Sequence, residues 1–308
     1  MPVPNPGLKG HRGRGGVTDL ANMRVAATAI GKLLLLSAAI IGSVQIFRLF
    51  LLPEIQSAFL LGDTLTSAVR RTGILLCAVL AYWGIVRLTE RRAVVELHVA
   101  PGAIALGAMT GAALISITTL SLFATGIYEV TGIRGFQAEL AGVAGLIFVA
   151  AVLEEITYRC VLFRLLEGVW GTMPALWLQS LIFAVMHLGN IEGADPVVAV
   201  TTVISGTLIG AYWTLVFVHS RNLWVVGANH AAWNFSIILT GLPLSGLEDW
   251  RSLAPFESRY NGPDWLTGGV FGPEDSVITI GVISVSIVLL LAAAHKRNRI
   301  TTAGVQTA

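Results

Sequence analysis

Eight apolar stretches, each long enough to cross a lipid bilayer, constrain the fold of this chain more than any other feature. A helix needs about 20 residues to cross a hydrocarbon core of about 30 Å. Stretches of this kind lie at about residues 27–51, 69–88, 102–127, 138–166, 173–188, 196–218, 223–242 and 277–294. Of the 308 residues, 55% are hydrophobic and 12% are charged, whereas a soluble domain has about 25% charged residues. The sequence therefore predicts an all-α, polytopic integral membrane protein with about eight transmembrane helices.

The basic residues are distributed unevenly between the predicted connections. With the N-terminus placed in the cytoplasm, thirteen basic residues fall on the inner side, namely Lys9, Arg12, Arg14, Arg24, Arg87, Arg91, Arg92, Arg159, Arg164, Arg221, Lys296, Arg297 and Arg299. Five fall on the outer side, namely Arg70, Arg71, Arg134, Arg251 and Arg259. Because an excess of Lys and Arg marks cytoplasmic connections, we expect a plasma-membrane protein with both termini in the cytoplasm.

The rest of the chain predicts one membrane domain with two short tails. Residues 1–24 begin with a Gly- and Arg-rich segment, which predicts a disordered basic cytoplasmic tail. Residues 25–296 are predicted to form a single transmembrane domain, and residues 297–308 are predicted to form a short cytoplasmic tail. The long outer loop, residues 241–276, is rich in aromatic residues, which predicts a loop lying on the membrane surface. Nothing beyond the basic tail suggests nucleic-acid binding, so the lipid bilayer is the expected partner.

Charged and polar side chains interrupt three of the apolar stretches. They are Glu154, Glu155, Tyr158 and Arg159 in the fourth stretch, His187 at the end of the fifth, and His230 and Asn234 in the seventh. A charge near the bilayer centre costs about 2.5–3.5 kcal/mol, so such residues usually face an interior cavity and pair with another group. We therefore expect a polar cavity between the fourth, fifth and seventh helices.

Helical spacing suggests how these residues divide the work. Residues four apart share a helix face, so Glu155 and Arg159 are expected to form a structural ion pair. Glu154 has no cationic partner on its own face, which suits a general acid or base. A single buried His or Asn in a membrane helix commonly serves helix packing. The coincidence of the unpaired Glu154 with His187 and His230 on later helices favours an active site over packing alone.

Three motifs occur in a fixed order on three predicted helices: Glu154-Glu155-x-x-x-Arg159, Phe183-x-x-x-His187 and His230-x-x-x-Asn234. This ordered set resembles the CPBP intramembrane proteases, a superfamily that includes the type II CAAX prenyl endopeptidases and bacteriocin-immunity-like (ABI) proteins. The resemblance implies that the chain hydrolyses a peptide bond inside a membrane cavity. It also implies a protease core over residues 138–242.

The resemblance further implies a role for each motif residue. Glu154 and His187 would activate the attacking water, and His230 and Asn234 would stabilise the oxyanion of the tetrahedral intermediate. The residues expected to hold the helix geometry around them are Glu155, Arg159, Tyr158 and Phe183. These roles meet the chemical needs of hydrolysis, namely a base for water and donors aimed at the developing negative charge.

Metal dependence and substrate stay open at this point. Glu154, His187 and His230 could form a three-ligand open zinc site, although we favour a glutamate-activated water with no obligatory cofactor. The expected substrate is a membrane-associated protein or peptide. The competing function is a non-catalytic scaffold or bacteriocin-immunity protein that binds a partner peptide in the same cavity. A transporter is a third possibility, but the sequence has no paired Gly/Pro-broken helices in matching halves.

Overall fold

The computed structural model describes residues 14–191 and 193–303 and is mostly helical. Its helices are α1 (Arg14–Ile46), α2 (Leu52–Ala58), α3 (Asp63–Thr89), α4 (Pro101–Ala124), α5 (Glu139–Glu155), α6 (Arg164–Trp170), α7 (Thr172–His187), α8 (Pro196–Ser220), α9 (Leu223–Thr240), α10 (Asp264–Thr267) and α11 (Val277–Lys296). Wide turns with π-helical hydrogen bonding, Phe47–Leu51 and Ile156–Phe163, join α1 to α2 and α5 to α6. Two strands complete the fold, β1 (Tyr128–Ile133) and β2 (Phe256–Tyr260).

The membrane spans agree with the sequence prediction, with one difference in their number. Seven helices in the described part of the chain are long and apolar enough to cross a membrane. The stretch predicted at residues 223–242 does form a helix, α9, but it is not among these seven. The polar side chains of Asn229, His230 and Asn234 interrupt this 18-residue helix and lower its hydropathy. The protein is thus an all-α, polytopic membrane protein, as predicted.

Two local predictions differ from the structure. Residues 14–24 were expected to be disordered but form the first turns of α1, because Ala, Leu and Met in this segment are strong helix formers. Residues 1–13 and 304–308 lie outside the described residues. The second difference is the antiparallel pairing of β1 with β2, which sequence patterns do not predict because the two strands lie more than 120 residues apart.

Contacts between connections define two opposite faces of the bundle. We call the first the terminal face, formed by residues 90–100, 171, 221–222 and 297–303. It is held by hydrogen bonds from Arg164 to Glu90 at 2.7 and 3.0 Å and from Asn222 to the carbonyl of His98 at 2.5 Å, and by a bridge between Gly171 and Thr302. The second is the cavity face, formed by residues 59–62, 125–138, 188–191, 193–195 and 241–276. Here β1 pairs with β2, and Asn190 donates to the carbonyl of Ser245 at 2.8 Å.

Glycines let the helices that carry the site approach one another closely. In α4, a Cβ at Gly107 or Gly111 would collide with the backbone of Val225 or Asn229 in α9. Small residues in a membrane helix allow such a close approach of two backbones. In α9 itself, a Cβ at Gly227 would meet the side chain of Val152 in α5 at 2.8 Å. The position of α9 is thus fixed from both sides.

Candidate active site

A completely buried ion pair lies at the junction between α5 and the following π-helical turn. Nη1 of Arg159 is 3.0 Å from Oε1 of Glu155, and both side chains are fully buried. Nη2 of Arg159 donates a second hydrogen bond, of 2.9 Å, to the carbonyl of Gly210 in α8. The i,i+4 pair expected from the sequence is therefore present, and it also connects α5 to α8.

Glu155 has a second partner that helical spacing does not reveal. Its Oε1 lies 2.8 Å from Nδ1 of His230 in α9. Because an ionised carboxylate only accepts hydrogen bonds, Nδ1 of His230 carries the hydrogen and Nε2 points away from Glu155. Trp213 in α8 stacks on the imidazole with 3.6 Å between ring centroids. A carboxylate and an indole thus fix both the tautomer and the plane of His230.

The ring of His187 is fixed in a similar way at the end of α7. Its Nδ1 lies 2.8 Å from the carbonyl oxygen of Phe183, so Nδ1 is the donor. The ring of Phe183 lies against the imidazole at 4.2 Å between centroids, and Tyr158 contacts Phe183 edge-on at 5.0 Å. The Nε2 atom of His187 is therefore free to act on a group in the cavity.

Both imidazoles face the same carboxylate. Oε2 of Glu154 lies 3.9 Å from Nε2 of His187 and 3.9 Å from Nε2 of His230. These distances are too long for direct hydrogen bonds but suit a single bridging molecule such as water. Oε2 of Glu154 and Oδ1 of Asn234 are buried and have no hydrogen-bond partner among the residues that the structure describes. The cavity therefore presents unsatisfied acceptors next to two oriented imidazoles.

These four residues line one cavity of about 100 Å³. The expectation that helices four, five and seven converge is met, since α5 contributes Glu154, α7 His187, and α9 both His230 and Asn234. Helix α8 and the loop of residues 241–276 complete the wall. The cavity is polar where the motif residues lie and otherwise mainly apolar.

Trp213 and its support were missed by sequence reasoning. Nε1 of Trp213 donates to Oδ1 of Asn229 at 3.1 Å, while the amide nitrogen of Asn229 donates to Thr110 at 3.0 Å and to Tyr212 at 2.9 Å. Asn229 thus sets the position of the indole that stacks on His230. A tryptophan in an apolar stretch resembles ordinary core, so the sequence gives no signal for this role.

Glu274, just before α11, is a second missed residue. Its side chain lines the cavity. Oε1 accepts a hydrogen bond from Nε1 of Trp233 at 3.2 Å, and Oε2 accepts from the backbone nitrogen and the hydroxyl of Ser245 at 2.9 and 2.6 Å. Burial raises the pKa of Glu274, although its hydrogen bonds and the nearby histidines have the opposite effect and lower the pKa. The available sequence signal was an acidic pair, Glu274-Asp275, before the last span.

The side chains as placed do not fit a metal site. Among the residues that the structure describes, no group of three or more His, Cys, Asp or Glu side chains is arranged to hold one metal ion. This includes Glu154, His187 and His230, the ligand set that the sequence allowed for zinc.

The fold and the cavity define the class of protein. A bundle of membrane helices encloses a carboxylate and two oriented imidazoles, the groups that hydrolases use to activate water. The family model described as type II CAAX prenyl endopeptidase Rce1-like matches residues 136–236, a segment that contains all three motifs. The resemblance of residues 136–236 to the CPBP intramembrane proteases is thereby confirmed. No curated protein matches the chain significantly.

Proposed function

We propose that the protein is an intramembrane endopeptidase that hydrolyses a peptide bond with a water activated by Glu154 and His187. The observation that supports this most directly is the 3.9 Å distance from Oε2 of Glu154 to Nε2 of both His187 and His230. A general base must reach the proton that it removes, either directly or through one water. A water between Glu154 and His187 satisfies this requirement.

The first half of the reaction forms a tetrahedral intermediate. The water oxygen attacks the carbonyl carbon of the scissile bond, while Glu154 removes a proton from the water. His187 orients the water, because the bond from its Nδ1 to the carbonyl of Phe183 leaves Nε2 as an acceptor. No covalent bond to the protein is required.

The oxyanion of this intermediate is stabilised by His230 and Asn234. To donate from Nε2, His230 acts as the doubly protonated ring, whose second proton comes from bulk water before the substrate binds and stays on the ring through the cycle. The carboxylate of Glu155 at Nδ1 stabilises this charged ring. The side-chain amide of Asn234 lines the cavity as the second donor. One oxyanion donor contributes about 3–4 kcal/mol to transition-state stabilisation. The intermediate collapses when the C–N bond breaks and the proton held by Glu154 passes to the leaving amine.

The distribution of basic residues supports the proposal that both termini are cytoplasmic, in the plasma membrane. Arg159 is buried beside the site and belongs to neither face. In the described residues, eleven basic residues lie on or next to the terminal face: Arg14, Arg24, Lys32, Arg87, Arg91, Arg92, Arg164, Arg221, Lys296, Arg297 and Arg299. Six lie on or next to the cavity face: Arg48, Arg70, Arg71, Arg134, Arg251 and Arg259. The excess of Lys and Arg marks the terminal face as cytoplasmic.

The decisive experiment is the substitution Glu154→Gln, which keeps the size and shape of the side chain but removes the base. Purified protein, reconstituted with a quenched-peptide library or native membrane extract, should lose turnover by about 10²–10⁴-fold. The matched control is Glu139→Gln at the exposed start of the same helix, which should leave turnover unchanged.

Binding of the cleaved peptide, measured with both variants, separates an enzyme from a scaffold. An enzyme predicts that Glu154→Gln binds the peptide but does not cleave it. A scaffold or immunity protein predicts no turnover with any variant and a cellular phenotype that survives Glu154→Gln. That second result would exclude the protease mechanism even with all three motifs present.

A further inference from the structure

The cavity belongs to one end of the bundle. The wall residues that come from connections between helices are Asn190, Leu244, Ser245, Leu247, Trp250, Phe271 and Glu274, all on the cavity face. In the described residues, no lining residue comes from the connections of the terminal face. The loop of residues 241–276 therefore forms part of the cavity wall at this face, and Glu274 holds this part of the wall by its bonds to Ser245 and Trp233. The lining residue Asn190 beside it is exposed, so the cavity reaches the surface at this face.

The opposite end of the site helices is closed by buried ion pairs. Arg164 at the start of α6 contacts Glu90 at 2.7 Å and donates to the carbonyl of Cys160 at 2.9 Å. In the middle of the same helix, Glu167 pairs with Arg221 at 2.5 Å. The side chains of Glu90 and Glu167 are 7% and 2% exposed. A peptide that reached Glu154 from the terminal face would have to break these pairs.

The position of the cavity, the ion pairs and the excess of basic residues on the terminal face together indicate how a peptide reaches the site. An inference from them rests on the proposed protease activity, because it concerns the same site. We infer that the cavity receives its peptide from the non-cytoplasmic side of the membrane. The substrate class is therefore a membrane-associated or exported peptide segment that is exposed outside the cytoplasm. A cytoplasmic C-terminal tail would lie on the wrong side.

The charge of the cavity face adds a feature to this class. Nine carboxylates in the described residues lie on or next to this face and are exposed or half-buried: Glu54, Asp63, Glu129, Glu139, Asp195, Glu248, Asp249, Glu257 and Asp264. They outnumber the six basic residues there. A surface of one predominant sign attracts ligands of the opposite sign and raises their association rate. The preferred substrate thus carries basic residues beside the scissile bond.

Cysteine labelling tests the orientation without reference to activity. In a background with Cys77→Ala and Cys160→Ala, the exposed positions Ser252 and Ala93 report on the cavity face and the terminal face. An impermeant maleimide should label Ser252→Cys in intact cells. It should label Ala93→Cys only after the membrane is permeabilised. The reverse pattern would overturn the inference and leave the protease proposal standing.

Membrane vesicles of known orientation test the side of entry directly. A membrane-impermeant quenched peptide should be cleaved by right-side-out vesicles and protected from inverted vesicles until detergent is added. Cleavage by inverted vesicles alone would overturn the inference. Absence of cleavage in every preparation, including detergent, would contradict the proposed protease activity, while the labelling result would still decide the orientation.

A pair of peptides that differ only in Lys or Glu flanking residues tests the charge preference. The Lys-flanked peptide should have a kcat/KM higher by on the order of 10-fold at low ionic strength. The difference should shrink as salt is added, because exposed charges are screened over about 10 Å at 0.1 M salt. Equal rates at low salt would overturn the charge preference.

Discussion

Glu155 and Glu154 are adjacent glutamates, and the substitution of each by Gln should affect stability very differently. Glu155 is fully buried, and its Oε1 accepts from both Arg159 at 3.0 Å and His230 at 2.8 Å. Glu155→Gln would leave the guanidinium of Arg159 buried without a counter-charge. The side chain of Glu154 is 35% exposed and has no hydrogen-bonded cation, so Glu154→Gln removes no ion pair.

The magnitude follows from the geometry of the pair. Removal of one partner from a buried ion pair costs about 3–5 kcal/mol, because the other charge stays buried and unpaired. Gln retains an oxygen that can accept from Arg159, so we expect the lower end, about 3 kcal/mol. For Glu154→Gln we expect a change within about 0.5 kcal/mol, as for substitutions that break no buried contact.

The assay is denaturant titration of the purified protein in mild detergent, with the midpoints of both variants compared with that of the unmodified chain. The double variant Glu155→Gln with Arg159→Met should recover part of the lost stability, because it removes the unpaired charge. Recovery should be incomplete, since Arg159 also donates to the carbonyl of Gly210. Equal midpoints for Glu154→Gln and Glu155→Gln would refute this reasoning.

Three further predictions concern metal, packing and pH. Exhaustive chelation should leave turnover nearly unchanged and added zinc should inhibit through Glu154 or the histidines; activity that is lost on chelation and restored by stoichiometric zinc would contradict the metal-free mechanism. The Cβ added by Gly111→Ala would meet the backbone of Asn229, so this variant should lower the free energy of unfolding by about 1–3 kcal/mol and reduce turnover. The control is Gly102→Ala, whose Cβ would lie in open space on the same helix; it should change neither quantity. Burial raises the pKa of Asp275 from 3.8 to about 7, although hydrogen bonds from α8 lower it. The protonated carboxyl of Asp275 therefore contributes fully to the free energy of unfolding below about pH 4, and this contribution is lost as the pH rises towards 7. Asp275→Asn should flatten this pH dependence in thermal denaturation, and an unchanged profile would contradict the assignment.

The helices and one contact of the site could be predicted from the sequence because both depend on local properties. A span is determined by about 20 consecutive apolar residues, and the predicted stretch at residues 196–218 became α8, Pro196–Ser220. The pair of Glu155 with Arg159 follows from the i,i+4 spacing of a helix and persists in the π-helical turn. The helical start of α1 and the two short strands are the places where local patterns were insufficient.

Only the tertiary structure decided which groups share the cavity. Helical periodicity indicates which residues of one helix lie on one face, but it carries no information about the partner helix. Three contacts join residues at least 17 positions apart in the sequence. They are the hydrogen bond of Glu155 with His230, the stacking of Trp213 on His230, and the position of Glu274 in the cavity wall beside His230. The sequence determined a membrane bundle with polar residues in its interior. The packing of α5, α7, α8 and α9 against the loop of residues 241–276 decided how those residues meet and at which end of the bundle their cavity lies, because such contacts depend on helix packing and not on local spacing.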